Sequence, residues 1–136
     1  AKAEISRLED AGWVAWVQHQ MQAGPHSVAL QQQMKNAHNC YAAERWNLLT
    51  DVDKNFVVSR NWERALRDVG IAGIRDPTQV KCLHCHYAHH ASRPTHGNII
   101  GEIVQKLLNK LHAAGGDVPS TAGDTDDLVA CISRIK

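Results

Sequence analysis

The sequence predicts an all-α fold, a compact bundle of about five to six helices. Apolar residues recur at three- and four-residue steps along most of the chain, the spacing that gathers them on one side of a helix. No segment alternates with a sustained period of two, and no internal repeat is visible. Helix-breaking residues stand between the periodic stretches, at Gly24-Pro25, Gly70 to Pro77, Pro94 to Gly97 and Gly115-Gly116. A chain of 136 residues fits one helical domain, 1–136, that can bury a core without a disulfide or metal as an obligatory staple.

In order along the chain, Ile5, Leu8, Gly12, Trp13, Trp16, Val17 and Met21 form one stripe, which predicts a first helix of about 20 residues. Gly24-Pro25 stops it, because proline donates no backbone N–H and disfavours a helical residue before it. Ser27 is placed to cap a second helix carrying Leu30, Met34, Ala37, Tyr41, Trp46, Leu48 and Leu49, with Gln31, Gln32 and Gln33 on its solvated face. Thr50-Asp51-Val52-Asp53 resembles a capping box with Asp53 in the position usual for Glu or Gln, so a third helix with Phe56, Val57, Trp62, Leu66 and Val69 follows. Two glycines and a proline make Gly70 to Pro77 a loop whose isoleucines plug into the core. Thr78 to Arg93 holds no glycine or proline and reads as a helix ended by Pro94 and the turn at Gly97-Asn98. Ile99, Ile100, Ile103, Val104, Leu107, Leu108 and Leu111 give the strongest amphipathic helix, closed by Gly115-Gly116. After a loop to Gly123, Asp124 or Thr125 caps a last short helix with Leu128, Val129, Ile132 and Ile135.

Lys and Arg total 15 against 14 Asp and Glu, a formal charge of +1 with histidines neutral. That balance gives no reason to expect nucleic acid or an anionic membrane as the main partner. No apolar run is long enough to cross a bilayer, and Ala1 to Glu4 lacks a secretory pattern, so the expectation is a soluble intracellular protein. The cysteines at 40, 82, 85 and 131 fit a reducing compartment better than a disulfide scaffold. The four tryptophans fall at helical spacing among aliphatic residues, where core packing is the plain account, although Trp13 and Trp16 could instead mark a partner surface.

The chemistry concentrates in Lys81 to His90, which holds two of the four cysteines and four of the nine histidines. Thiolate and imidazole suit a tetrahedral zinc ion. At 100° per residue a regular helix places Cys82, Cys85, His86 and His89 within about a third of its circumference, with His84 nearly opposite and His90 just outside. Four ligands from two turns of one rigid helix cannot all wrap one ion, so two or three bind it and the rest come from elsewhere, water included. A helix that starts only after Cys82 would aim the first residues differently. Buried cysteine and histidine also serve as ordinary core groups, and that plain packing role stands beside the metal reading. Cys82-Leu83-His84-Cys85 has the spacing of thiol oxidoreductases, but the strand-to-helix context of those enzymes is not predicted here. Glu102 is a candidate general base, with a solvated or capping carboxylate as the commoner role. Asp124, Asp126 and Asp127 read as a helix N-terminus.

Val80-Lys81-Cys82-Leu83-His84, Tyr87-Ala88-His89-His90 and Gly97-Asn98-Ile99-Ile100-Gly101-Glu102 resemble the domain of unknown function 501 family. Ile5 to Glu9 and Gly70 to Ile74 are also similar to family segments, so the resemblance spans residues 5–105. By position, Cys82, His84, His89 and Asn98 match the family's polar residues. Cys85 and His86 stand where the family has apolar or small residues, and Ile99 stands where it has proline. The resemblance implies a fold and a site, not a reaction. It also implies an upstream cysteine-containing half, which would make this chain the C-terminal part of the family domain.

The expectation is therefore a small soluble metal-binding protein, with zinc the expected ion and Cys82, His84, Cys85, His86 and His89 the candidate ligands. Its role is structural or interactive, with a protein partner or a second copy. A metal-dependent hydrolase using His84, His89 or Glu102 as acid or base is the alternative, and a metal-free subunit of a larger assembly is another.

Overall fold

The structure is a computed structural model that describes residues 1–92 and 97–135. Those residues form eight α-helices and one 3-10 turn, with no strand among them. The helical class agrees with the sequence, and the count exceeds five to six because two expected helices each break in two.

The first stripe divides into α1, Lys2–Asp10, and α2, Trp13–Ala23. The amides of Ala11 and Gly12 turn back to the carbonyls of Arg7 and Glu9, and Gly12 takes φ +92°, a left-handed conformation that costs only glycine little. Gly12 is thus a hinge between helices and not a member of the stripe. Ile5, Leu8, Trp13, Val17 and Met21 nonetheless all reach the core. Helix α3, Ser27–Asn47, has His26 at its cap position without a side-chain bond, so Ser27 does not cap it.

The capping box is present in full: Asp53 N–H donates to Thr50 Oγ1 at 3.2 Å, and Thr50 N–H donates to Asp53 Oδ2 at 3.1 Å. It starts α4, Asp51–Ser59, which ends at Arg60. Asn61 turns to φ +57° and separates α4 from α5, Glu63–Arg67. Around this break Phe56 and Trp62, expected in the core, are 50% and 54% exposed and only Val57 of α4 is buried, while Leu48, at the C-terminal cap of α3, is 85% exposed. Ile71, in the 3-10 turn Ile71–Gly73, plugs into the core as expected, while Ile74 is half-buried.

Helix α6 spans Leu83–Ser92 and so begins five residues later than Thr78. Pro94, expected to end it, lies outside the described residues. Helix α7, Ile99–Ala113, buries Ile99, Ile100, Ile103, Val104, Leu107, Leu108 and Leu111, and α8, Asp126–Ser133, adds Leu128, Cys131 and Ile132. Burying each aliphatic side chain contributes roughly 1.5–3 kcal/mol, so α7 is the principal apolar element of the core. Thr125 stands at the cap of α8 without a side-chain bond, while Asp124 Oδ1 accepts from Asp126 N–H at 3.0 Å.

The closest helix pair is α6 against α7. A Cβ at Gly101 would fall 2.2 Å from His90 Cβ and 2.6 Å from the His86 carbonyl oxygen, so the contact requires a residue without a side chain. Helix α1 packs on α2, α6 and α7, while α4 packs chiefly on α5 and α5 on α3. No described helix is long and apolar enough to cross a membrane.

Candidate functional site

The late start of α6 decides where the Lys81 to His90 side chains go. Cys82 precedes the helix, so the expected single face of Cys82, Cys85, His86 and His89 does not form as drawn. The residues divide instead into two sets.

The first set lies where the beginning of α6 meets the end of α1. Glu9 Oε1 accepts from Leu83 N–H at 2.7 Å, satisfying one of the open amides at the start of α6 from another helix. The same oxygen is 3.3 Å from His84 Nδ1, and Cys82 Sγ is 3.9 Å from that nitrogen. The far side of the ring is held as well, with Nε2 at 2.9 Å from the Lys2 carbonyl and 3.4 Å from Ser6 Oγ. One donor atom from each of Glu9, Cys82 and His84 lies within 4.8 Å of the others, and all three side chains are half-buried. Among the described residues this is the group that could hold a metal ion. Cys85 lies outside that triangle but beside Cys82. Burial first, then a hydrogen bond to Cys82 and the nearby charge of Glu9, push its thiol pKa up.

The second set is a buried polar group between α3, α6 and the start of α7. Asn98 Oδ1 accepts from Gly101 N–H at 3.1 Å and caps α7, which turns its amide nitrogen toward His86 Nδ1 at 3.1 Å and His89 Nδ1 at 3.3 Å. His38 Nδ1 accepts from Ile71 N–H at 2.9 Å, and its ring meets that of His86 edge-on, centroids 5.8 Å apart. The Ile71 amide makes His38 Nδ1 an acceptor, so that ring carries its proton on Nε2, while the Nε2 atoms of His38 and His86 are buried without a hydrogen bond among the described residues. Burial, then the neighbouring His38 and His89, lower the pKa of His86 to about 3, and burial with His89 lowers that of His38. His86 and His38 are therefore neutral core groups near neutral pH.

Residues 1–106 match the family described as Protein of unknown function (DUF501). The chain belongs to this family. No curated protein and no solved structure matches it. The DUF501 resemblance singled out Cys82, His84, His89 and Asn98, and the fold gives them different work. Cys82 and His84 meet Glu9, whereas His89 and Asn98 belong to the buried group with His86. Glu9 and His38 were missed in the sequence because they come from other helices. Glu9 nonetheless ends the Ile5 to Glu9 segment that resembles the DUF501 pattern, and that was the one available signal.

Glu102 does not approach either set. Its carboxylate accepts from the Cys131 thiol at 2.9 Å and from Arg134 at 3.3 Å. A groove of about 750 Å³ runs along the start of α3 past Val28, Gln32, Pro77 and Ile135, and Glu9, Cys82 and His84 do not line it.

Proposed function

We propose that this protein binds one zinc ion through Glu9, Cys82 and His84, and that the ion has a structural role, clipping α1 to α6. The observation that carries this is the convergence of three different donor types, Glu9 from α1, His84 from α6 and Cys82 from the residue just before α6. In tetrahedral zinc, N···O and N···S ligand edges are about 3.3 and 3.6 Å, from bond lengths near 2.0–2.3 Å. The structure has 3.3 Å for His84 Nδ1 to Glu9 and 3.9 Å for His84 Nδ1 to Cys82. A proton on Nε2, donated to the Lys2 carbonyl, leaves the Nδ1 lone pair facing the other two donors. Thiolate and imidazole together favour zinc over magnesium or calcium.

A three-ligand site leaves a fourth position for water, the arrangement of hydrolytic zinc. The acids and bases expected for hydrolysis are engaged elsewhere: Glu102 with Cys131 and Arg134, His89 with Asn98, and His84 as a ligand. A structural clip is therefore the better reading. The exposed apolar side chains of Leu48, Val52, Phe56 and Trp62 support an accompanying role in protein interaction.

Elemental analysis with a zinc titration tests the proposal. The reduced chain is expected to hold one equivalent, with Cys82→Ser and His84→Ala abolishing it and Cys40→Ser retaining it. Zinc at 100 times its Kd stabilises by about 2.7 kcal/mol. At about 0.29 kcal/mol/K for 136 residues, Tm rises by roughly 9 °C. A wild-type chain that takes up no stoichiometric zinc overturns it.

A further inference from the structure

The sulfur of Cys82 has two neighbours it can bond through, and it cannot serve both. On one side are Glu9 and His84, with His84 Nδ1 3.9 Å away. On the other is Cys85, three residues on in the first turn of α6. Both cysteines carry free, half-buried thiols, so a small reagent can reach them. Because α6 begins at Leu83, Cys82 stands immediately before the helix and Cys85 is its third residue. Residues three apart at a helix start have Cα atoms about 5 Å from each other. That lies inside the roughly 4.4–6.8 Å window of disulfides. Helix-starting Cys-x-x-Cys pairs are the arrangement in which thiol–disulfide exchange is favoured.

We propose that Cys82 and Cys85 form a dithiol–disulfide couple that controls occupancy of the metal site, an inference that rests on the Glu9–Cys82–His84 reading. Reduced, Cys82 is a thiolate ligand. The oxidant is a low-molecular-weight disulfide, RSSR. The Cys82 sulfur attacks one sulfur of RSSR, the S–S bond breaks, and the first thiolate leaves and takes a proton from water. Cys85 then attacks the Cys82 sulfur of the mixed disulfide and expels the second thiolate, which takes the Cys85 proton. The two cysteines lose two electrons, RSSR gains them as two RSH, and zinc departs as the divalent ion. A disulfide sulfur has no charge to offer the cation, so the site is reduced to Glu9 and His84. The coupling is reciprocal: bound zinc holds Cys82 away from Cys85 and slows oxidation.

The test uses the full reduced chain loaded with one equivalent of zinc and titrated with oxidised glutathione. Released zinc is read with a chromogenic chelator, and the bond is read by mass spectrometry of the peptide 82–106. The expected result is zinc release in step with a mass loss of about 2 Da in that peptide, reversed by dithiothreitol. Apparent zinc affinity is expected to fall by at least the roughly 100-fold that loss of even an outer partner of a ligand can cost. Cys85→Ser is expected to load zinc like wild type and, because its mixed disulfide at Cys82 is not drawn on by ring closure, to need at least about a tenfold higher ratio of oxidised to reduced glutathione at equilibrium to release it. Disulfide formation with zinc retained, zinc retained with no disulfide formed, or equal release from Cys85→Ser overturns the inference. Failure to load zinc before any oxidant is added strikes the metal reading itself and is thereby told apart.

Discussion

Lowering the pH from 8 to 5 should destabilise this protein before its carboxylates begin to titrate, and the buried histidines set the size of the loss. His86 has an unfolded pKa of 6.5 and a folded pKa of about 3, because its ring is fully buried beside His38 and His89. Between those values the unfolded chain binds a proton that the folded chain refuses, so stability falls as pH falls. The contribution is complete above pH 6.5 and is lost progressively down to about pH 3. For His86 alone the loss from pH 8 to pH 5 is about 2 kcal/mol, and over the whole window it is on the order of 4–5 kcal/mol. His38, lowered by burial and by His89, adds with the same sign. That is a large part of the roughly 5–15 kcal/mol by which a domain is stable. Glu4, Asp53 and Asp76 are held low by hydrogen bonds to His112, Thr50 and Thr78 respectively, so their protonation costs stability only at lower pH. Urea unfolding at pH 8 and pH 5, at fixed ionic strength, measures the difference. His86→Phe, similar in size and unable to titrate, should remove the His86 share of it. Equal stability at the two pH values, or an NMR titration of His86 with a midpoint near 6, would refute the reasoning.

Gly101→Ala should destabilise by about 2 kcal/mol or more, even though alanine is the better helix former by about 1 kcal/mol, because overpacking here presses on backbone that cannot yield. Thermal unfolding should show Tm lowered by roughly 7 °C or more, and an unchanged or higher Tm would contradict the close α6–α7 approach. Asn98→Ala should cost about 2–4 kcal/mol, combining a lost cap with unsatisfied buried ring nitrogens. Asn98→Asp keeps the cap but sets a carboxylate beside His86 and His89, so the same urea series should show a smaller loss of stability between pH 8 and 5.

The parts of the fold legible in the sequence were those where local chemistry and tertiary packing agree. The Thr50–Asp53 box, the Gly24-Pro25 stop and the apolar stripe of α7 each carry their signal within a few residues. The two breaks were not legible for opposite reasons. At Gly12 the hydrophobic period continues across the hinge, so a pattern-based reading joins α1 to α2. At Asn61 a non-glycine residue adopts positive φ, which the residue type alone does not announce. The candidate site was half legible. Cys82 and His84 stood out by their ligand chemistry and their resemblance to the family. His86 and His89 have the same side chains, but their use depends on Asn98 and His38, contributed from elsewhere in the chain. Glu9 lies 73 positions before Cys82, and only the packing of α1 against α6 brings it to the site.

The outward turn at Asn61 leaves α4 and α5 as an arm fastened at a few points. Arg45 donates to the carbonyls of Leu66 and Val69, and the cations of Lys54 and Arg67 sit over the Trp46 ring at 5.7 and 5.0 Å. Helices α1, α6 and α7, by contrast, share the buried aliphatic core. The molecule therefore contains two regions of unequal local free energy, and amide exchange by sub-global opening is cheaper in the arm than in the central helices. Helix α4 packs on α5 and α5 on α3, whereas the α1–α6 junction rests on the central helices, so opening of the arm does not by itself break that junction. Amide exchange is therefore expected to be faster in α4 and α5 than in α6 and α7.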